Sequence, residues 1–249
     1  MNNYTTIEVK TENGTGWIVF SRPQVKNAFS VRTFSEVHEA LEQLTQDDAV
    51  RTIVLMGKGG NFSSGRDFKD PEEVPPDFEE RRSQVFNALE YCPKPTIAAV
   101  AGYAITGGLT MALSCDLIIA AEDAILQDTH AKIGAITLRA SRLYEALGPL
   151  RAKEVLFTCR RVTASDALAM GLVNKVVPND ELERAASGMA AEINRHDPAV
   201  IAAIKKVINK VIRYDQLRML DLEEFEKRRF NDRVPEQKAM AQGRDGIAK

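Results

Sequence analysis

Ala101-Gly102-Tyr103-Ala104-Ile105-Thr106-Gly107-Gly108 follows directly on the apolar run Thr96-Ile97-Ala98-Ala99-Val100 and leads into a helical stretch from about Gly107 to Ser114. Pro93-Lys94-Pro95 bounds the run on its other side, so it reads as a short buried strand between turn signals. Glycines at a helix start let a ligand approach backbone N–H groups that lack an intrahelical acceptor and lie at the positive end of the helix dipole. An earlier segment, Asn61-Phe62-Ser63-Ser64-Gly65-Arg66-Asp67, also follows a predicted strand, Thr52 to Met56. A Gly-Gly pair ahead of a helix is on its own most often a turn or packing device, so the weight rests on the two segments together. Neither fits G-x-x-x-x-G-K-[ST] or G-x-G-x-x-G, which argues against a nucleotide-phosphate cradle. Paired N–H groups suit a carbonyl oxygen that gains negative charge.

Outward from these segments the chain alternates strands and helices. Ile7 to Val9 and Trp17 to Phe20 flank Asn13-Gly14, the composition of a hairpin turn, and predict two antiparallel strands. Phe34, Val37, Ala40, Leu41 and Leu44 recur at the period of a helix with one buried face. Leu117 to Ala121 is a further short strand. Asp70-Pro71-Glu72-Glu73-Val74-Pro75-Pro76-Asp77 combines prolines with acidic residues and reads as a mobile loop. Beyond Pro178 the pattern is helical, over Leu182 to Ile193, Pro198 to Tyr214 and Leu217 to Phe230. This predicts an α/β body over 1–195 and a C-terminal helical region over 196–249, with no internal repeat.

The 249 residues, 44 % hydrophobic and 27 % charged, have the balance of a folded soluble protein. A net charge of −2 supplies no field to gather nucleic acid or anionic membrane, so neither is expected as a partner, and any anionic ligand needs a local site. Cys92, Cys115 and Cys159 are widely spaced, which argues against a disulfide framework or a zinc site and fits a reducing cytoplasm. Met1 to Lys10 is polar, without the apolar core of a secretory signal, and no apolar run is long enough for a membrane span.

Arg22-Pro23-Gln24-Val25-Lys26-Asn27-Ala28-Phe29-Ser30, Phe62 to Asp67 and Ala101 to Gly108 resemble, in order and spacing, three successive motifs of the crotonase (enoyl-CoA hydratase/isomerase) superfamily. Ser114 to Ala121 and Ala164 to Pro178 carry the resemblance across nearly the whole chain. It implies a spiral of ββα turns with a helical C-terminal part, assembled as a homotrimer or a dimer of trimers. It also implies an acyl-CoA substrate, with coenzyme A entering only as part of the thioester and with no separate cofactor or metal. By position in the motifs, the backbone N–H groups of Arg66 and Gly107 form an oxyanion hole. Gln24, Val25, Ser64 and Asp67, near Phe68, lie against the adenine and pantetheine portions. Lys26 and Lys69 are placed to meet phosphates, and the alternative is that both are ordinary solvated lysines.

The sequence departs from the family where hydratases carry two glutamates. Thr110 occupies one position and His130 the other. Threonine is no base near neutral pH, whereas histidine changes protonation state there, so His130 is the acid/base candidate, with Asp128 and Thr110 to orient it or a water. The competing reading of His130 is a capping residue bonded to backbone. A further family position, an aspartate in the dihydroxynaphthoyl-CoA synthase branch, is Thr137 here. The segment Ala135 to Ser141 is shorter than the family's and lacks its Pro and Gly residues. Arg139 within it, with the Arg66 side chain, is a candidate receptor for an anionic acyl group, and a salt bridge to the acidic loop is the alternative. The leading expectation is hydration of an enoyl-CoA or migration of its double bond. The others are hydrolytic or decarboxylative C–C cleavage of an acyl-CoA, and a CoA-binding subunit without chemistry.

Overall fold

The computed structural model describes residues 4–70, 72–137 and 140–209. The chain opens with an antiparallel hairpin, β1 (Ile7–Glu12) and β2 (Thr15–Phe20). Asn13 and Gly14 between them both have positive φ, 50° and 76°, the turn that matches the twist of a two-stranded ribbon. β3 (Thr52–Gly57), β4 (Thr96–Val100), β6 (Leu117–Ala121) and β9 (Lys175–Val177) extend β2 in parallel, giving the order β1-β2-β3-β4-β6-β9.

The strands of this sheet are apolar on both faces because helices cover both. Ile18, Ile53, Leu55, Ala98 and Val100 join the main core with α1 (Val31–Gln46). Trp17, Val54, Ile97, Ala99 and Ile119, the alternate residues, pack beneath Leu182, Ala186 and Ala190 of α6 (Leu182–Asn194). Ser30 caps α1, accepting from the Thr33 amide while the Thr33 hydroxyl accepts from the Ser30 amide. Buried Glu36 on α1 takes the amides of Thr5 and Thr6 at 2.9 and 2.8 Å and their hydroxyls at 2.9 and 2.6 Å, fastening the start of the chain to the helix.

A second, smaller sheet generates the spiral. After β4 the chain steps into β5 (Tyr103–Ile105) and then α3 (Gly107–Leu113); after β6 it steps into β7 (Ile125–Gln127), which pairs in parallel with β5. After β3, the segment through Ser63 adds a parallel bridge to Ala104. Each turn therefore lays one strand in the large sheet and one in the small sheet or at its edge. β8 (Val162–Thr163) completes the small sheet and opens α5 (Ala164–Met170), with the Thr163 hydroxyl accepting from the Asp166 amide.

α2 (Phe78–Glu90) packs against α1. It was not legible in the sequence, because charged residues dilute its apolar positions Phe78, Val85, Phe86 and Leu89. The described residues of the acidic stretch before it, Asp70 and 72–77, form neither helix nor strand. α4 (Ala140–Thr158) breaks at Gly148 (φ 71°, ψ 171°), and Pro149 starts its second half. α6 follows as the sequence indicated, and residues 195–197 separate it from a further helical run over 198–209. That run is tied to the body by Lys205 on Asp116, 2.6 Å, and by the Asn209 amide on the Glu90 carbonyl, 2.9 Å. The predicted helix over Leu217 to Phe230, the end of the one starting at Pro198, and Arg139 lie outside the described residues.

Candidate active site

Two backbone amides converge where the small sheet meets α3. Gly65 has φ +93°, and a Cβ there would lie 2.8 Å from the Ile105 carbonyl oxygen and 3.3 Å from the Gly107 nitrogen. Only glycine lets the two segments meet this closely. A Cβ on Gly107 would in turn fall 3.6 Å from the Arg66 nitrogen, so the amides of Arg66 and Gly107 are neighbours. Gly107 is the first residue of α3, and neither its amide nor that of Arg66 has a protein acceptor among the described residues. The residues on either side of Arg66 are fixed: Phe29 donates to the Gly65 carbonyl at 2.7 Å, and Asp67 donates to the Phe29 carbonyl at 2.9 Å. α3 is pressed against the same segment, since a Cβ on Gly108 would sit 2.4 Å from the Ser63 carbonyl oxygen.

Thr106 sets the direction of the Gly107 amide. Its φ of 51° and ψ of −104° are sparsely populated for a side chain branched at Cβ, and such conformations persist only where the surroundings impose them. Here its amide donates to the Gln127 carbonyl at 2.8 Å, its hydroxyl shares a 2.6 Å hydrogen bond with that of Thr129, and its carbonyl receives the Thr110 amide and hydroxyl at 2.9 and 3.1 Å. The Thr110 side chain is thus turned back on its own helix.

The bonds from Thr106 also hold the 127–130 segment beside the amide pair. Asp128 accepts the His130 amide at 2.9 Å and lies 3.1 and 2.9 Å, through its two oxygens, from His130 Nδ1. The Thr137 hydroxyl donates to the same carboxylate at 2.6 Å. Burial of Asp128 disfavours its charge, but the His130 ring, the Thr137 hydroxyl and the His130 amide outweigh burial and hold its carboxyl below the usual carboxylate range. An ionised Asp128 requires hydrogen on Nδ1, so neutral His130 carries its lone pair on Nε2, which has no partner among the described residues. His130 is 7 % exposed.

The sequence matches the enoyl-CoA hydratase/isomerase family over residues 10–245. The chain belongs to that family. Among solved structures it is similar to an enoyl-CoA hydratase/isomerase from Xanthobacter autotrophicus Py2, with a TM-score of 0.89, 30 % identity, and 98 % of this chain and 94 % of that one covered. A probable enoyl-CoA hydratase from Mycobacterium smegmatis matches with a TM-score of 0.81 and 28 % identity, covering 98 % of this chain and 96 % of that one. A monofunctional enoyl CoA isomerase from M. smegmatis matches with a TM-score of 0.73 and 30 % identity over 84 % and 94 %. The crotonase fold expected from the three motifs is the fold observed.

Within this family member, Arg66, Gly107, Thr110, Asp128 and His130 are gathered at one place. On the expected CoA side, Gln24, Val25 and Lys26 are exposed on the turn after β2. The Ser64 amide donates to the Lys26 carbonyl at 3.0 Å and the Ser64 hydroxyl to the Val25 carbonyl at 3.3 Å. Lys26 Nζ lies 4.7 Å from the centre of the Tyr103 ring. The Asp67 carboxylate is held by Arg22 at 2.9 Å, and Phe68 is exposed. Sequence reasoning passed over Thr106 and Thr129, whose roles rest on backbone geometry, and Asn27, whose buried side chain ties the turn to the carbonyls of Lys58 and Asn61 at 2.9 and 2.6 Å. It also treated Thr137 only as a missing acid. No group of His, Cys, Asp and Glu among the described residues could hold a metal, and no described helix is long and apolar enough to cross a membrane.

Proposed function

We propose that this family member moves a proton on an acyl-CoA thioester, migrating the double bond of an enoyl-CoA, with His130 as the single acid/base. Coenzyme A enters as part of the substrate. The observation that carries the reading is the bond from His130 Nδ1 to Asp128, 2.9 Å, which leaves Nε2 as a lone pair on a ring that cannot turn freely. Nε2 takes a proton from C2 of a 3-enoyl thioester, and the C–H electron pair delocalises through the double bond and the carbonyl onto the thioester oxygen. The amides of Arg66 and Gly107 stabilise that oxygen where its charge develops. Each such donor is worth about 2.7–4 kcal/mol of barrier. The protonated ring then returns the proton at C4, giving the 2-enoyl thioester and the starting base.

One base that both takes and returns a proton suffices for this cycle, whereas the family's hydratases use two carboxylates on a water, and Thr110 and His130 stand at those positions. The hydroxyl of Thr110 already donates to Thr106, so it does not substitute for the first. Assembly as trimers or pairs of trimers is consistent with two bulky apolar side chains on α4, Leu150 and Phe157, which are 82 % and 77 % exposed in the single chain. Wild type and His130→Ala incubated with 3-hexenoyl-CoA and crotonyl-CoA in deuterated water test the reaction. Conversion of the first to the 2-enoyl ester, with protium carried from C2 to C4 in at least part of the product, and loss of that conversion in the variant, is expected. No change in either ester by wild type would overturn the reading.

A further inference from the structure

The side chain of Arg66 raises a question that its amide does not. The guanidinium is centred 4.8 Å from the Phe78 ring and 5.6 Å from the Phe68 ring, and no carboxylate pairs with it among the described residues. Arg82 stands one turn along α2 from Phe78, the ring against which the Arg66 guanidinium rests. Its side chain is only 15 % exposed; it pairs with Glu79, and its Nε is buried without an acceptor. Arginine is nearly always charged, and a half-buried guanidinium without an anion of its own favours one supplied by a ligand. The chain places two cations together, flanks the outer one with aromatic faces, and gives that one no anion.

We propose that Arg66 and Arg82 form a receptor for a carboxylate carried on the acyl group, so that the preferred substrates are CoA monothioesters of short dicarboxylic acids. The inference rests on the proposed seating of the thioester oxygen on the Arg66 and Gly107 amides. Because Arg66 supplies both an amide to that oxygen and the guanidinium, the second carboxylate lies within the reach of one side chain from the thioester, which corresponds to a chain of a few carbons. Two planar, multiply donating groups suit a carboxylate better than a lysine pair would, since a guanidinium offers parallel N–H bonds to both oxygens. The rings of Phe68 and Phe78 hold the Arg66 guanidinium by cation–π contact.

The test compares glutaryl-CoA with butyryl-CoA, saturated esters whose binding is read by titration calorimetry without turnover. Failure of the proton-transfer reading therefore leaves this measurement intact, and failure here leaves that reading intact. Wild type is expected to bind glutaryl-CoA at least about tenfold more tightly, the range for a hydrogen bond to a charged group. In Arg66→Met the ratio is expected to fall to within about twofold of unity, with Arg66→Lys intermediate. Arg82→Met, judged only if its circular dichroism matches wild type, should reduce the ratio as well. A wild-type ratio near one overturns the proposal. So does a ratio unchanged in Arg66→Met while both esters and free CoA weaken by one common factor, which would assign the guanidinium to a phosphate of the CoA handle.

Discussion

Asp128 receives both the backbone amide and the ring Nδ1 of His130 at 2.9 Å, so one carboxylate fixes the histidine's position and its tautomer together. Removing the charge while keeping the shape separates those effects. Asp128→Asn retains a side-chain acceptor for the His130 amide but no longer demands hydrogen on Nδ1. A loss in kcat on the order of 10²-fold is expected with a much smaller change in KM, close to that of His130→Ala itself. A variant retaining more than about half of wild-type kcat would show that the pairing serves only the loop.

Gly65→Ala tests the amide pair without touching a charged side chain. The added methyl would meet the Ile105 carbonyl oxygen at 2.8 Å, at a φ of +93°. Positions of this kind cost about 1–3 kcal/mol in stability when occupied by a side chain. Turnover should fall further than stability predicts, because the Arg66 and Gly107 amides are pushed apart. Thermal unfolding and steady-state rates on one preparation check both halves.

Thr106 allows a paired comparison. Glycine adopts a φ of 51° freely and alanine does not, and both substitutions delete the hydroxyl bonded to Thr129. Thr106→Gly is therefore expected to be more stable than Thr106→Ala by about 1 kcal/mol in urea unfolding. Equal stabilities would mean that the backbone relaxes at this position.

How much of this was open to reading from residues alone depends on the kind of cause. β1 to β4, α1, α3, β6 and α6 were legible because periodicity and turn residues are local. The two glycine segments were legible as candidate amide donors after strands, and the Arg66 and Gly107 amides were assigned by their place in the family's motifs. α2 was not, since Phe78, Val85, Phe86 and Leu89 are buried only by α1 and its neighbours, contacts distant in sequence. The small sheet escaped because Tyr103–Ile105 and Ile125–Gln127 are too short to show a period. His130 was found from the position it fills. Asp128 was named there with Thr110 as a group to orient His130 or a water; that Asp128 alone pairs with the ring while Thr110 turns to Thr106, and that Thr137 is a second donor to that carboxylate, depended on loop geometry that no spacing rule supplies.

Glu36 gives a pH-dependent stability with a definite sign. Its burial disfavours charge, but the hydroxyls and amides of Thr5 and Thr6 outweigh burial and lower its pKa from the ordinary 4.5. The folded state therefore binds this proton less readily than the unfolded state. The stabilisation is complete above the ordinary value and disappears as pH falls through the lowered one. Glu36→Gln should be destabilised by about 1.5–3 kcal/mol at pH 7, with the gap to wild type closing as pH falls through the lowered value. A gap independent of pH would assign the loss to packing.

In the proposed reaction the thioester oxygen meets two main-chain amides, those of Arg66 and Gly107, and no side-chain atom. A main-chain amide is the same on any residue but proline, so position 66 can exchange its side chain without surrendering its proposed part in the reaction, provided the backbone path through Gly65 is kept. If both proposals hold, rate and choice of substrate rest on separate parts of one residue. Substitution at 66 would then act as a dial for selectivity, and a lineage could broaden or narrow its diet one codon at a time.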